Sequence, residues 1–183
     1  MADRFIYQVA VEAFFVRAMK DRLDAPAKAR LREAGIALDE PLLSVYPSDV
    51  FHRCVAIASQ AAFPQAAADE ACRLSGRAHI DSFVQSYSGK MMSALARQIS
   101  PQMILDYTAT FIRLGNNFTE SRARATGPKT SELWLNDVGG LPSWYAGVVQ
   151  RGLEVANVKG VEVQIVPAEA PPAATFVVSW QGR

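Results

Sequence analysis

The sequence contains few of the side chains that build catalytic or metal centres: two cysteines and two histidines among 183 residues. Two cysteines cannot form a disulfide framework, so we expect a reducing, cytoplasmic setting. The formal charge of +1 gives no electrostatic footprint for nucleic acid or an anionic membrane. No apolar run reaches about 18 residues, so neither a membrane span nor a signal peptide is expected.

The histidines and cysteines do not have the spacing of a metal site. His52 and Cys54 are two positions apart, about 200° around a helix, so their side chains diverge. Cys72 and His79 share a helix face, but a rise of about 10.5 Å separates them, which is too far for one zinc ion. The sequence also lacks CxxC and HExxH motifs. No metal site is predicted, and these thiols and imidazoles are interpreted as buried structural groups.

The patterns of nucleophilic and phosphate-binding enzymes are equally absent. There is no GxSxG motif, and no serine stands beside a histidine. A Gly-Gly pair at 139–140 precedes a predicted helix, but Pro142 removes one backbone donor, which favours a simple turn over an anion site. We therefore predict that the chain is not an enzyme and has no catalytic residue. The alternative is an enzyme that uses Cys72, His79 or Asp81.

Apolar side chains recur every three or four residues through position 113, which predicts helices. The predicted helices cover 7–23, 26–34, 48–62, 64–87, 90–99 and 101–113, with a loop at 36–47. Ser48 is predicted to cap the third helix and Pro64 to begin the fourth. Gly76 lies inside the fourth helix, where glycine costs about 1 kcal/mol relative to alanine. Close packing against another backbone is the predicted compensation.

The side-chain period changes after Gly115 from that of helices to that of strands. Residues 116–126 and 130–137 alternate and flank a Gly-Pro turn, which predicts an antiparallel hairpin with Arg122 or Arg124 paired to Glu132. The later segments are a helix over 143–156 and strands over 161–166 and 174–180, the strands being separated by a loop with Pro167, Pro171 and Pro172.

Segregated helices and strands are typical of an α+β protein. The predicted architecture is an N-terminal helical layer followed by a four-stranded antiparallel sheet interrupted by one helix. We expect a single domain over 1–183, with a helical part at 1–114 and a sheet-containing part at 115–183. Five aromatic residues flank the sheet and its helix: Phe118, Trp134, Trp144, Tyr145 and Trp180. Most are interpreted as core, and some could line an apolar pocket or a homodimer contact.

Five stretches, in their order along the chain, resemble a myxobacterial family whose function is unassigned. They are VEAFFVRAM at 11–19, PLLSVYP at 41–47, RLGNNFTESR at 113–122, ELWLN at 132–136 and the helix at 144–156. That family is distantly similar to haem-binding nitric oxide/oxygen sensor domains, to vinyl-reductase-type ligand-binding domains and to subunits of the transport protein particle. The resemblance implies an α+β fold in which a helical layer precedes an antiparallel sheet interrupted by one helix.

The haem-binding relatives carry a proximal histidine on the helix before the sheet. The corresponding stretch here, 105–108, reads Leu-Asp-Tyr-Thr and has none. Those relatives also hold the haem propionates with a Tyr-x-Ser-x-Arg motif, whereas 133–138 reads Leu-Trp-Leu-Asn-Asp-Val. The resemblance therefore transfers no functional residue to this chain, and we expect no cofactor, haem included.

A full-length resemblance without a catalytic pattern favours a non-enzymatic, sensor-like signalling module. We predict that it binds a small apolar molecule between helices and sheet, or regulates a partner. The predicted pocket residues are Phe83, Tyr87, Met91, Tyr107 and Trp134. The alternative is a structural homodimer or interaction scaffold, which predicts a contiguous apolar surface on the helices. A third hypothesis is a haem-based gas sensor. We expect a homodimer that binds no nucleic acid.

Overall fold

The computed structural model describes residues 3–166 and 172–182. The helices are α1 Gln8–Val11, α2 Ala25–Glu33, α3 Ser48–Ala62, α4 Ala68–Phe83, α5 Tyr87–Ala96, α6 Pro101–Asp106, α7 Thr108–Ile112 and α8 Pro142–Val155. The strands are β1 Phe5–Tyr7, β2 Val45–Pro47, β3 Ser121–Gly127, β4 Thr130–Leu135, β5 Glu162–Val166 and β6 Ala174–Ser179. The predicted α+β class is confirmed, with helices first and a sheet that α8 interrupts.

Strands β3 to β6 form an antiparallel sheet in the order β3-β4-β6-β5. The predicted hairpin is confirmed, because Arg124 lies opposite Glu132 and the two side chains form a salt bridge of 2.6 Å. Alternate strand residues point to opposite faces. One face is therefore buried, as Leu133, Phe176 and Val178 show, and the sheet contacts α6 and α8.

Strand β3 begins at Ser121, later than the predicted strand over 116–126. The Asn116 side-chain oxygen accepts hydrogen bonds from the backbone N–H groups of Phe118 and Thr119, at 3.1 and 3.0 Å. Asparagine side chains often stabilise a turn in this way. The turn delays the start of the strand, although the alternation of residue types continues through it.

The N-terminal segment is not the single helix predicted over 7–23. Strand β1 pairs antiparallel with β2, which lies in a stretch predicted to be a loop. Helix α1 then continues as a π-helical segment, Glu12–Ala18, whose wider turn buries the consecutive side chains Phe14 and Phe15. Three-residue strands are too short to show a periodic pattern, and apolar spacing does not distinguish an α-helix from a π-helix.

Two helix starts differ from the prediction because proline fixes only its own φ angle. Pro47 precedes the first turn of α3 with an extended ψ of 140°, so Ser48 is the first helical residue and not its cap. Pro64 lies in a turn in which the Ala66 N–H donates to the Phe63 carbonyl, and α4 begins four residues later.

The helix predicted over 101–113 is two short helices that meet at Tyr107, whose φ of −91° and ψ of 8° lie outside the helical region. Ser100 caps α6 by accepting a hydrogen bond from the Met103 N–H at 3.2 Å. The prolines predicted in the loop after β5 at 167 and 171 lie outside the described residues. Within the described part of the chain, no helix combines the length and apolarity needed to cross a bilayer.

Helices α4 and α8 cross in direct backbone contact, which confirms the close packing predicted at Gly76. A Cβ on Gly76 would lie 2.1 Å from the Trp144 carbonyl oxygen, and one on Gly147 would lie 2.1 Å from the Arg73 carbonyl oxygen. Only glycine allows this approach, since any side chain at either position would overlap the facing backbone. The crossing therefore fixes the relative position of the two helices.

Ion pairs join the C-terminal halves of the same helices. Arg77 binds Glu154 at 2.8 Å, and Arg151 binds both Asp81 at 2.7 Å and Glu154 at 3.1 Å. These pairs lie towards the solvent side of the interface, where the side chains are partly exposed.

Candidate ligand cavity

An apolar cavity of about 120 Å³ lies between α4 and α8, is lined also by α5, α6 and α7, and is partly open to solvent. Its wall includes Phe83, Met92, Leu105, Phe111, Val148 and Leu153. Two lining side chains carry hydroxyls, and both donate to a backbone carbonyl four residues earlier: Ser93 to Gly89 at 2.7 Å within α5, and Thr108 of α7 to Ile104 of α6 at 3.4 Å. Because these hydroxyls are satisfied, the wall is suited to an apolar molecule.

The five side chains predicted to line a pocket do not converge. Phe83 lies in the cavity wall. Tyr87, Met91 and Tyr107 are 80%, 53% and 49% exposed. Trp134 lies on the outer face of the sheet, where the Arg122 guanidinium carbon is 5.0 Å from its ring centroid.

The placement of α5 puts the sequence neighbour of the predicted Met91 in the cavity wall. Met92, not Met91, contributes to the cavity wall. Adjacent helical residues point about 100° apart, so a shift of one position in the assigned face exchanges a lining residue for an exposed one. Nothing in the local sequence distinguishes the two methionines, because the face is set by what α5 packs against.

A cluster of rings lies one helical turn before the cavity on both principal helices. His79 is four positions before Phe83 on α4, and Trp144 is four positions before Val148 on α8, so each shares a helix face with a lining residue. The ring centroids of His79 and Trp144 are 5.4 Å apart. Phe14, from the π-helical segment, lies 5.8 Å from the first and 5.9 Å from the second.

Two buried nitrogen atoms in this cluster have no hydrogen-bond partner among the described residues: His79 Nδ1 and Trp144 Nε1. The Trp144 residue is 5% exposed, and His79 is partly exposed while its Nδ1 is not. Burial lowers the pKa of His79 to about 4, so the imidazole is neutral at pH 7. An unpaired buried polar atom is rare in native proteins and calls for an explanation. No sequence signal identifies this pair, since a missing partner is a property of the packing.

The second histidine lies in a separate buried network at the start of α8. His52 Nε2 is 3.2 Å from the Tyr145 hydroxyl. Asp137 forms an ion pair with Arg4 and accepts a hydrogen bond from the Gly139 N–H at 2.8 Å. Burial lowers the pKa of His52, and the nearby Asp137 carboxylate opposes this shift. The contacts connect α3, the loop before α8 and the N-terminal segment, so we interpret the network as structural.

The glycine pair at 139–140 is a turn, as the sequence favoured. Gly139 has a φ of 54°, in the left-handed region that favours glycine. A Cβ on this residue would lie 2.0 Å from His52 Nδ1, so the backbone packs directly against the imidazole ring. The turn therefore serves to bring the loop against α3.

The residues of the alternative enzyme hypothesis have other partners. Asp81 forms an ion pair with Arg151. Cys54 and Cys72 are buried free thiols, and burial raises the pKa of both, that of Cys54 to about 11. A thiol with a raised pKa is protonated at pH 7 and is a poor nucleophile. Over the described ranges, no group of three or more His, Cys, Asp or Glu residues could hold a metal ion.

Solved structures of H-NOX domains share this fold. A variant of Tt H-NOX has a TM-score of 0.70 at 12% identity, over 97% of this chain and 96% of that one. An oxygen-binding H-NOX domain related to soluble guanylate cyclases has a TM-score of 0.66 at 14% identity, over 96% and 94%. The Fe(II) unliganded H-NOX protein from K. algicida has a TM-score of 0.66 at 11% identity, over 96% of each chain. At these identities the likeness establishes the fold, and it confirms the predicted distant similarity to haem nitric oxide/oxygen-binding domains.

The amino-acid sequence matches the model of one protein family. A family model described as "Protein of unknown function (DUF2378)" matches residues 4–181. No curated protein sequence matches the chain. The match covers nearly the whole chain, which agrees with the full-length resemblance seen in the sequence.

Because the structurally similar proteins are H-NOX domains, we asked whether this cavity could hold haem. Its lining residues and its volume do not fit haem. Haem iron is held by histidine, cysteine, methionine or tyrosine. Among the described residues that line the cavity, Met92 alone is of these types, and none is a lysine or arginine that could pair with the propionates. The volume of about 120 Å³ is also below the range of about 300–1,000 Å³ found for larger ligands.

Proposed function

This chain belongs to the DUF2378 family of proteins of unknown function, and we propose that it is a non-enzymatic module that binds one small apolar molecule between α4 and α8. The observation that carries the proposal is the cavity wall, which is apolar apart from two internally satisfied hydroxyls. A cavity of about 150 Å³ lined by leucine, isoleucine and phenylalanine is known to bind benzene or xenon. We therefore assign a ligand of about the size of benzene, and no haem.

Helix α5 is the part of the cavity wall best suited to admit a ligand. Gly89 is the one buried residue of this helix, while Met92, Ser93 and Ala96 face the cavity and are partly exposed. Elements with little buried apolar surface open at low free-energy cost. A displacement of α5 on binding would couple occupancy of the cavity to the outer surface of the protein, as a regulatory module requires.

Benzene titrated into ¹⁵N-labelled protein is expected to shift the amide resonances of cavity residues in a saturable manner. Val148→Phe should weaken benzene binding by about tenfold or more, because the added ring atoms take up the cavity volume. Val9→Phe is the matched control, since Val9 is 55% exposed on α1. Equal affinity of benzene for both variants, or no saturable shift in the unsubstituted protein, would contradict the proposal.

A second candidate function is a homodimer or interaction scaffold, favoured by apolar side chains on the outer face of α5. Tyr87, Met91 and Leu95 recur every fourth residue and are 80%, 53% and 65% exposed. Met103 and Tyr107, on α6 and at its end, are 42% and 49% exposed. Side chains four apart share one helix face, and large exposed apolar patches often mark protein contacts.

Sedimentation equilibrium tests this candidate. A homodimer that uses the α5 face would dissociate in Met91→Glu, because a buried unpaired carboxylate opposes association. Leu43→Glu is the control, at a residue that is 61% exposed far along the chain from α5. A monomeric mass for the unsubstituted protein at high concentration would exclude the homodimer.

A further inference from the structure

The two edges of the four-stranded sheet differ in how their outward backbone groups are satisfied. Strand β5 forms one edge, and side chains from α4 and α8 cover the carbonyls at its start. Arg73 donates to the Val163 carbonyl at 3.2 Å, and Gln150 donates to the Val161 carbonyl at 3.2 Å. Cover of this kind protects a sheet edge from pairing with another chain. Strand β3 forms the other edge.

The middle of β3 presents backbone groups that have no partner. The Asn136 N–H donates to the Glu120 carbonyl at 3.2 Å, and backbone groups point to alternate sides along a strand. The backbone groups of Arg122 and Arg124 therefore face β4, whereas the N–H and carbonyl of Ala123 point away from the sheet. Among residues 3–166 and 172–182, no hydrogen bond reaches these two groups of Ala123.

Two arginine side chains flank this open position on the outer face of the sheet. Arg122 and Arg124 are both exposed, and the Arg122 guanidinium carbon lies 5.0 Å from the ring centroid of Trp134. A guanidinium that stacks on a ring keeps the N–H donors at its edge for other partners. Arg124 donates to Glu132 through one nitrogen atom, so its other N–H groups also remain available. The edge therefore combines unpaired main-chain groups with positive charge.

We propose that β3 is a docking edge for an extended acidic segment of a partner protein, which adds to the four-stranded sheet as a further strand. Main-chain groups of the segment pair with those of Ala123, and carboxylates at alternate positions face Arg122 and Arg124. The intervening side chains of the segment lie on the inner face beside Ser121, Ala123 and Ala125. These residues are small and Ala123 packs against the core, so apolar side chains fit there.

The charges disfavour a second copy of the chain as the occupant. Two β3 strands paired antiparallel about Ala123 would place Arg122 of each copy opposite Arg124 of the other. Centring the pair on either arginine would place that arginine opposite itself. Like charges directly opposite on neighbouring strands are destabilising, whereas opposite charges stabilise the pair. No residue of β3 lines the cavity, so the docking edge is independent of the proposed small ligand.

A fluorescein-labelled peptide of sequence Val-Glu-Val-Glu-Val-Glu tests the docking edge by fluorescence anisotropy at pH 7. We expect saturable binding to the unsubstituted protein that weakens about tenfold or more in Arg122→Glu. Arg30→Glu is the matched control, since it makes the same charge change at an exposed arginine of α2 and should leave the affinity nearly unchanged. A Val-Lys-Val-Lys-Val-Lys peptide should not bind.

Ala123→Pro separates main-chain pairing from attraction between charges alone. It removes the outward N–H and keeps both arginines, and proline is tolerated at a sheet edge where its nitrogen faces away from the ladder. We expect the acidic peptide to bind about fivefold or more weakly, as the loss of one net hydrogen bond predicts. Ile165→Pro is the control at the opposite edge, because its N–H also points outward, two positions after Val163.

No saturable binding of the acidic peptide, or equal affinity for the unsubstituted protein and Arg122→Glu, would overturn the proposal. If Ala123→Pro does not fold, an acidic peptide methylated at every amide nitrogen decides the question, since it keeps its carboxylates and lacks main-chain donors. Binding of this peptide as tight as that of the unmodified one would show attraction between charges without an added strand. A dimer of the unsubstituted protein that Ala123→Pro dissociates would assign the edge to a second copy instead.

Discussion

Gly76→Ala is expected to lower the free energy of unfolding by about 3 kcal/mol or more. The new Cβ would lie 2.1 Å from the Trp144 carbonyl oxygen and 3.1 Å from the Val148 backbone nitrogen. Backbone atoms in the middle of a helix cannot move aside singly, so α4 and α8 would have to separate. Alanine has the higher intrinsic helix propensity, by about 1 kcal/mol, and the steric overlap must exceed that gain. Urea-induced unfolding measures the difference.

Gly152→Ala is the matched control for this substitution. Gly152 lies in the last turn of α8, and a Cβ there would meet no atom within 4 Å. The same chemical change should therefore stabilise the protein by about 0.5–1 kcal/mol through helix propensity alone. Similar effects at the two glycines would contradict the close helix crossing that positions Trp144 and the cavity.

Lowering the pH from 7 to 4 is expected to destabilise the protein through His79 by about 3 kcal/mol. Burial lowers the pKa of His79 from 6.5 to about 4 in the folded state. Between these values the unfolded chain binds a proton that the folded chain does not, so stability is complete above pH 6.5 and falls as the pH drops towards 4. His52 acts in the same direction, because its pKa is also lowered by burial.

His79→Phe isolates the contribution of the one imidazole. We expect the free energy of unfolding of this variant, measured in urea at pH 7, 5.5 and 4.5, to depend less steeply on pH than that of the unsubstituted protein. The free energy of unfolding of this variant still depends on pH to some extent, since His52 and the paired carboxylates still titrate. An identical slope in the two proteins would show that His79 titrates as an exposed imidazole, and its Nδ1 would then not be buried as described.

The order of helices and strands was predictable from the sequence because the change of side-chain period after Gly115 is a strong local signal. Gly76 was informative for a related reason, since a glycine that weakens a helix needs a compensating contact. The errors fall where tertiary packing overrides local preference. Strand β1 pairs with a segment about 40 residues away, and the start of α4 depends on a turn in which Pro64 takes part and not on a helical cap.

The candidate site was less predictable than the fold. Phe83 was predicted because it continues the apolar face of α4. Met91 was predicted as well, and its neighbour Met92 lines the cavity, because the sequence does not fix the rotation of a short helix. Trp144 was interpreted as a core aromatic, and it is one by burial. Its indole nitrogen has no hydrogen-bond partner among residues 3–166 and 172–182, which only the packing of α4, α8 and the π-helical segment reveals.

Diffraction from a crystal of this protein equilibrated under xenon pressure would test the apolar cavity most directly. Xenon has no polar contacts to make, so it occupies apolar volume of sufficient size. We expect one strong xenon peak between α4 and α8, bounded by Phe83, Leu105 and Val148. A cavity filled by its own side chains, with xenon absent from this position, would contradict the account of this protein as a binder of small apolar molecules.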